Sequence, residues 1–498
     1  MTTAKSMPST QDNHNNSGWK LSGTIFVLAS SLATQGLMFL TAIVLARVLS
    51  KADLGVYSIV IQIQNILVLA LPLAIPLALT SIIAKEQKAA EKVAHLMTTS
   101  LQLAAITTVI FGSAFVVINL LFAESIYGTP RITQYLILVL IGAILTSQFQ
   151  IARGGLHGLK QMQVPAVAIT LGSLAGLLAM PLAVVYGLSG ALGATIIGGA
   201  VSLIIVAIGM KRTASSLTTE HILKKISLID LGDLSKIALP LFGSSVVLFV
   251  ALLIARTVLQ WQGGFDEVGN FQIANNIIQA MTVIPIAIAT IALPATAKLS
   301  TAGDSESASI FKFVKEAFSK SSTTAAIMVV LVTSTIYLIP IIYGRQYDEA
   351  MTAVMLIALA YGIIAPFAAT LNQVLISENR TVLRMIIDVV VGLLIILGTY
   401  LLGKNWGASG LALSYGLAYT GAAVWMACLY HKKTGWNIFL RHGLLSIILA
   451  LQILSFYTDY FIIATCVTIL VVLIITKSDV MDIANKLLSP LLKRVRKN

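Results

Sequence analysis

The chain has 498 residues, of which 57% are hydrophobic and only 11% charged, and its mean hydropathy is +0.91. A soluble globular domain carries about 25% charged residues, so the composition excludes one and implies an all-α polytopic membrane protein. The formal net charge of +13 does not point to nucleic acid, because the basic residues lie in short connections between apolar runs, as in cytoplasmic membrane loops.

Residues 1–22 are polar and rich in Asn, Ser and Thr, and read as a disordered cytoplasmic lead. The first apolar run, 23–46, is too long for a signal-peptide core and lacks a clear cleavage site, so it stays as the first span. A helix needs about 20 apolar residues to cross the hydrocarbon. By that measure six spans are expected, at about 23–46, 56–84, 94–122, 133–153, 164–187 and 189–210, forming an N-terminal bundle over 23–210. A polar, basic linker follows at 211–235. Six more spans are expected at about 236–260, 269–297, 317–340, 350–376, 381–403 and 408–430, forming a C-terminal bundle over 236–430. Two extra spans, about 441–457 and 460–476, fill 431–476 and turn around Asp459; one re-entrant hairpin would read the same way. Residues 477–498 form a basic cytoplasmic tail. The total is about fourteen transmembrane helices.

The charges support this count. With both termini inside, the cytoplasmic segments hold 27 of the 33 Lys and Arg. The outer segments hold Arg47, Lys51, Arg131, Arg256, Arg345 and Lys404. That asymmetry is the positive-inside signature of a multi-pass protein of the cytoplasmic membrane. Pro72 and Pro76 interrupt the second span, Pro285 and Pro294 the eighth, and Pro366 the tenth; they read as kinks or as bending points. Cys428 and Cys466 fall in apolar runs and read as small buried side chains. The six histidines show no metal-ligand spacing, and no cofactor is expected.

The sequence also repeats itself. Ala46–Ser58 (ARVLSKADLGVYS) is echoed by Ala255–Gln272 (ARTVLQWQGGFDEVGNFQ). Ile126-Tyr127-Gly128 returns as Ile342-Tyr343-Gly344, and Tyr186–Gly190 as Trp406–Gly410. The offsets climb slowly, from 209 to 220, as small loop insertions would make them. Six spans per half is an even number, so both halves enter the membrane in the same direction. The repeat is therefore parallel, about an axis along the membrane normal, which is a transporter architecture.

These motifs carry a family resemblance. ARVLSKADLGVYS resembles the stretch after the first helix of polysaccharide exporters, the Wzx-like oligosaccharide flippases of the multidrug/oligosaccharidyl-lipid/polysaccharide (MOP) superfamily. Ile342–Gly362 resembles that family's Gly-x-x-Tyr turn, and Trp406–Tyr419 the Gly-x-x-Gly start of its twelfth helix. The resemblance implies two six-helix bundles, a MATE-like core, with two added C-terminal helices. It implies movement of a polyprenyl-diphosphate-linked oligosaccharide, a unit of O-antigen, capsule, teichoic-type polymer or exopolysaccharide, from the inner to the outer leaflet. Partners would be that lipid, membrane lipids, a proton or sodium counter-ion and polysaccharide polymerase or assembly proteins.

Such a cargo needs hydrogen-bonding groups and cations in a cavity. Gln35 lies in the first span, Gln62 and Asn65 in the second, Gln148 in the fourth, Gln272 and Asn276 in the eighth and Asn372 in the tenth. An unpaired amide costs several kcal/mol in hydrocarbon, so these residues either line a sugar cavity or glue helices together. Arg47 and Arg256 hold matching places in the repeat. Arg47 lies about 36 Å along its helix from Gly23, at the outer mouth, where it either snorkels or contacts diphosphate. Arg153, at the inner end of the fourth span, is an anchor or attracts the inner-leaflet head group. Arg384 and Asp388 share a helix face, as a structural ion pair or a coupling site.

Two other classes compete. A multidrug or cation antiporter of the same superfamily would need anionic residues in its spans, and the first six spans hold none: Asp53, Glu86, Glu91 and Glu124 all fall in connections. A membrane glycosyltransferase would need a catalytic outer loop, and none is long enough; the protein is not expected to be an enzyme. A structural or scrambling role is also compatible with the sequence.

Overall fold

The computed structural model describes residues 16–72, 75–85, 90–127, 130–159, 161–213, 228–281, 288, 296, 304–378 and 380–495. Among the described residues the regular elements are all helical, and the protein is an all-α polytopic membrane protein. In the first half, α1 (Asn16–Val48), α2 (Lys51–Ala70), α3 (Ile75–Lys85), α4 (Ala90–Tyr127), α5 (Leu136–Gly158), α6 (Gln163–Leu178) and α7 (Pro181–Thr213) follow one another. The second half has α8 (Leu228–Met281), α9 (Asp304–Ser334), α10 (Ile339–Tyr343), α11 (Ala350–Ala369), α12 (Leu371–Ser377) and α13 (Thr381–Thr434). Then come α14 (Trp436–Leu454) and α15 (Phe461–Val495).

Among the described residues eleven helices are long and apolar enough to cross a membrane. Two of them are crossings in series: α8 bends at Gly264 (φ 78°) and α13 at Gly407 (φ 50°). The fifth span is the short apolar α6 together with the start of α7, up to a bend at Gly187 (φ 56°). Each expected span thus has a helical counterpart, with most of 282–297 outside the described residues. Of the expected disordered lead, residues 16–22 are helical, the start of α1, and residues 1–15 lie outside the described residues.

Proline sets the breaks. α2 stops at Ala70 before Pro72, and α3 resumes at Ile75. Pro366 lies inside α11, which ends at Thr370 (φ −125°, ψ −67°), whose hydroxyl donates to the Pro366 carbonyl at 2.7 Å. Both follow from a residue with no N–H to donate. Pro285 and Pro294 lie outside the described residues.

The repeat is visible in the backbone. Gly187 has φ 56°, ψ −134° and Gly407 has φ 50°, ψ −131°. A Cβ on Gly190 would stand 2.0 Å from the Leu182 carbonyl oxygen, and one on Gly410 2.6 Å from that of Leu402. All three pairs are shifted by 220 residues. The halves also meet reciprocally. A Cβ on Gly55 would stand 2.0 Å from the Phe265 carbonyl oxygen, and one on Gly269 2.2 Å from that of Lys51. Gly55 and Gly269 are 214 residues apart, and so are Lys51 and Phe265. A contact i–j matched by j–i is what a two-fold axis produces. Ser58 and Gln272, also 214 apart, sit on that axis and bond at 2.6 Å. Glycine at both crossings lets the backbones approach where any side chain would hold them apart.

α14 and α15 flank the second half. Arg441 reaches Asp479 at 2.8 Å and Ser319 at 2.7 Å. Gln452 donates to Thr333 at 3.0 Å and Thr465 at 3.1 Å. These buried amide and ionic bonds tie both helices to α9, as polar groups in apolar surroundings must be tied.

Candidate functional site

Two clusters of polar residues lie where the halves meet. The first is a narrow cleft of about 10 Å³, room for a single water, between α1 and α8, lined by Gln35, Met38, Phe39 and Ala42 on one side and Asn276, Gln279 and Ala280 on the other. A hydrogen-bond chain leads to it from the axis. Ser58 donates to Gln272, and Gln272 donates to Asn276 at 2.9 Å. Gln272 and Asn276 are 6% and 9% exposed, so their amides are committed to each other and to Ser58. Gln62, 4% exposed, donates to the Phe249 carbonyl at 3.0 Å and ties α2 to α8.

The second cluster closes one end of the interface. Arg47 donates through Nε to the Ile342 carbonyl at 2.8 Å and through Nη2 to that of Ile341. One planar guanidinium serves two successive carbonyls, which its fork geometry suits. Gln346 returns a bond to the Ala46 carbonyl at 3.1 Å. Lys51 pairs with Glu349 at 2.8 Å, and Asn270 donates to the same carboxylate at 3.4 Å. These bonds join the first half to the α10–α11 region, close to the Gly55 and Gly269 crossing, and form a latch.

The remaining expected residues lie apart. Arg256 is 3% exposed. Its Nη1 reaches only the Leu252 carbonyl of its own helix, at 3.4 Å, and its guanidinium carbon lies 5.6 Å from the Phe271 ring centre. Its Nε has no hydrogen-bond partner. Phe271 in turn packs on Tyr415 at 5.6 Å. Asn65 is exposed, and Gln148 and Asn372 are half-buried. Arg153 approaches Gln150 at 3.4 Å. Arg384 and Asp388 approach to 3.9 Å, with side chains 31% and 20% exposed. Of the expected set, the structure therefore brings Gln35 and Asn276 to one cleft and Gln272 next to them. It does not bring Arg256, Arg153, Asn372 or the Arg384–Asp388 pair there.

Lys51, Asn270, Gln346 and Glu349 were not expected from the sequence. A signal existed: Lys51 and Arg345 are among the six basic residues on the wrong side of the charge asymmetry, and a cation where the rule disfavours one invites a search for its carboxylate.

The polysaccharide exporter resemblance holds in the comparisons. Residues 21–300 match the family described as polysaccharide biosynthesis protein. The chain is 22% identical to stage V sporulation protein B of Bacillus subtilis over 240 residues, a stretch that spans 46% of each chain. Its structure is similar to that of the lipid II flippase MurJ in an inward closed conformation, with TM-score 0.67, 16% identity, and 92% of this chain and 100% of that one covered. It is also similar to an inward-facing multidrug resistance MATE family transporter of the MOP superfamily, with TM-score 0.61, 16% identity, and 85% and 98% covered. At such identities the likeness speaks for the fold, the two-bundle core, while the matched residues speak for the family: this chain belongs to the polysaccharide biosynthesis protein family.

Proposed function

We propose that the protein is a flippase. It moves a polyprenyl-diphosphate-linked oligosaccharide across the cytoplasmic membrane by alternating access, with both termini in the cytoplasm. Its moving units are the bundles 23–210 and 236–430. Membership of the polysaccharide biosynthesis protein family, with the resemblance of the motifs to polysaccharide exporters, supports this choice of substrate class. The observation that carries the mechanism is the latch: bonds between halves, gathered at one end, next to a glycine crossing on the pseudo-axis.

With the latch closed on the outer side, the head group enters from the inner side, drawn by Arg153. It meets the amides of Gln35 and Asn276 at the cleft, and those of Asn65, Gln148 and Asn372, which lie apart from it, only as the bundles part; such amides replace water around sugar hydroxyls. Gln62 and Gln272 hold the bundle faces in register. On opening, Arg47 leaves the carbonyls of Ile341 and Ile342 and is free for diphosphate oxygens, for which its fork is suited. Arg256 supplies a second guanidinium if the C-terminal bundle loosens. Arg384 and Asp388 would couple the cycle to a proton or sodium gradient. No bond is made or broken in this cycle, so the chain acts as a transporter, together with polymerase or assembly proteins downstream.

Deleting the gene tests this reading. Lipid-linked oligosaccharide trapped on the inner leaflet is the expected result. The MATE-like fold favours one second reading, a multidrug antiporter, and altered drug tolerance with normal glycan export would select it instead.

A further inference from the structure

A second and larger cavity, of about 630 Å³, opens at the opposite end of the C-terminal half from the latch. Three elements build it: the first turns of α9, the turn between α12 and α13, and the last turn of α13. None belongs to the interface between the halves, so the cavity is separate from the cleft at Gln35.

Its charge is one-sided. Lys312 and Lys315 are three residues apart on one face of α9, Lys315 also lies one turn from Phe311, and all three line the cavity. Both are exposed, and neither has a carboxylate partner among the described residues. Their neighbour Glu316 is taken by Lys320 at 2.6 Å. Across the cavity stands Lys433, 2.8 Å from Glu378 and 5.0 Å from the Phe311 ring centre. Glu378 also accepts from the Tyr430 hydroxyl at 3.0 Å and lies 3.5 Å from Arg380. Its side chain is only 11% exposed. Among the described lining residues the one carboxylate is thus shared by Lys433, Arg380 and Tyr430, and it fixes Lys433 in place without pairing with Lys312 or Lys315. The surplus is cationic, and aromatic rings border it.

The depth of the cavity is marked by Trp436, which stacks on His431 at 4.7 Å and is 46% exposed. A half-exposed Trp at a span end sits at head-group level, and it follows Lys433 by three residues. Basic pockets between membrane helices at that level hold phosphate head groups.

We propose that this cavity binds the phosphate of an acidic lipid in the leaflet it faces. Lys312 and Lys315 provide the free ammonium groups, and the Glu378-anchored Lys433 provides the third side. The ligand chemistry is a phosphate oxyanion on an apolar tail. A bulk phospholipid and a polyprenyl diphosphate both have it, and the site stands whichever lipid the central cleft translocates.

The test uses the purified full chain in detergent, read by native mass spectrometry with added phosphatidylglycerol and, separately, phosphatidylcholine. Retention of phosphatidylglycerol over phosphatidylcholine is expected. Lys312→Gln with Lys315→Gln should weaken that retention about tenfold, while Lys312→Arg with Lys315→Arg preserves it. Both residues are exposed, so the variants fold. Lys404→Gln, an exposed lysine at the other end, is the control and should change nothing. Farnesyl diphosphate then separates the sources. If it displaces phosphatidylglycerol, the pocket takes diphosphate lipids; if it does not, the occupant is bulk phospholipid. Undiminished retention in the double glutamine variant, or equal retention of phosphatidylcholine, overturns the proposal.

Discussion

In the N-terminal half, Arg47 lies exposed at the end of α1 and reaches to the carbonyl of Ile342, 295 residues along the chain. In the C-terminal half, Arg256 is 3% exposed and bonds only within its own helix. The sequence places both in the same motif. A second matched pair diverges in the same way. Asp53 accepts from the hydroxyl of Ser50, the N-cap of α2, at 2.7 Å and pairs with Arg131 at 2.7 Å. Glu267, 214 residues later, accepts the Ala408 N–H at 2.6 Å, at the bend of α13. The duplicated backbone is kept at its glycines, while the charges on it have taken different partners. The first half uses its charges outward, across the interface and on its own rim. The second half turns them inward and closes on itself.

The shared frame is where the largest effects are expected. Gly55→Leu and Gly269→Leu each drive a side chain into backbone that a bare Cβ would already meet at 2.0 and 2.2 Å. Each should lower stability by about 3 kcal/mol, seen as a drop in thermal midpoint in detergent. Because the contact is reciprocal, the two losses should be similar. If one is tolerated and the other is not, the two-fold is broken at its own axis.

The bends come next and should separate the halves. Gly187→Ala and Gly407→Ala both put a Cβ on a backbone that favours glycine, at about 1–3 kcal/mol. Gly187 has open space, whereas a Cβ on Gly407 would stand 2.0 Å from the Glu267 carboxylate. That variant also loses the Glu267 cap on Ala408, worth about 1 kcal/mol more. Equal thermal shifts for the two alanine variants would mean that the inward closure of the second half contributes nothing.

The arginines should part company as well. Arg47→Ala removes two bonds of the latch, about 1 kcal/mol each, and should expose the buried Ala46 region. A cysteine at position 46, in a background lacking Cys428 and Cys466, which are exposed and not buried as their apolar runs suggest, should react faster with a thiol reagent. Arg256→Leu replaces a buried, partly unpaired charge by an apolar side chain, a change that is often neutral or stabilising. Its thermal midpoint should hold or rise. A clear fall would show that Arg256 has a partner worth more than its desolvation costs.

The span pattern and the repeat could be read from hydropathy and charge, because a membrane helix needs a long apolar run and a basic inner rim whatever it packs against. The glycine echoes could be read for a related reason: a close crossing or a positive-φ bend admits few other residues. The fate of Arg47 and Arg256 could not. Spacing gives height along a helix, and here it set both at one height. Azimuth and neighbours come from tertiary packing, and the partners of Arg47 lie in Ile341 and Ile342, which lend only carbonyls and leave no side-chain signature. The amides were ambiguous for a similar reason. Gln62 and Asn276 occupy matching positions, but one bonds to backbone across the interface and the other faces a cleft.

The smallest expected effect concerns acid. Glu349 lies in the turn before α11, and its pKa is held below the ordinary 4.5 chiefly by the hydrogen bond from Lys51, then by the charge of Lys51 and the bond from Asn270. A carboxylate whose folded pKa is depressed stabilises the state that holds it above the unfolded pKa, and that stabilisation is lost as pH falls through the folded value. The latch should therefore be unaffected from neutral pH down to about 5, and loosen below the ordinary carboxylate range. The Glu349 side chain is 72% exposed, so solvent screens most of the gain and the change should be slight beside that of Arg47→Ala. Labelling of a cysteine at position 46 with a reagent that works in acid would follow it. The wild-type rate should rise below pH 4.5, and Glu349→Gln should be fast and flat throughout. If the variant keeps the same acid rise, the Lys51–Glu349 pair does not control the opening.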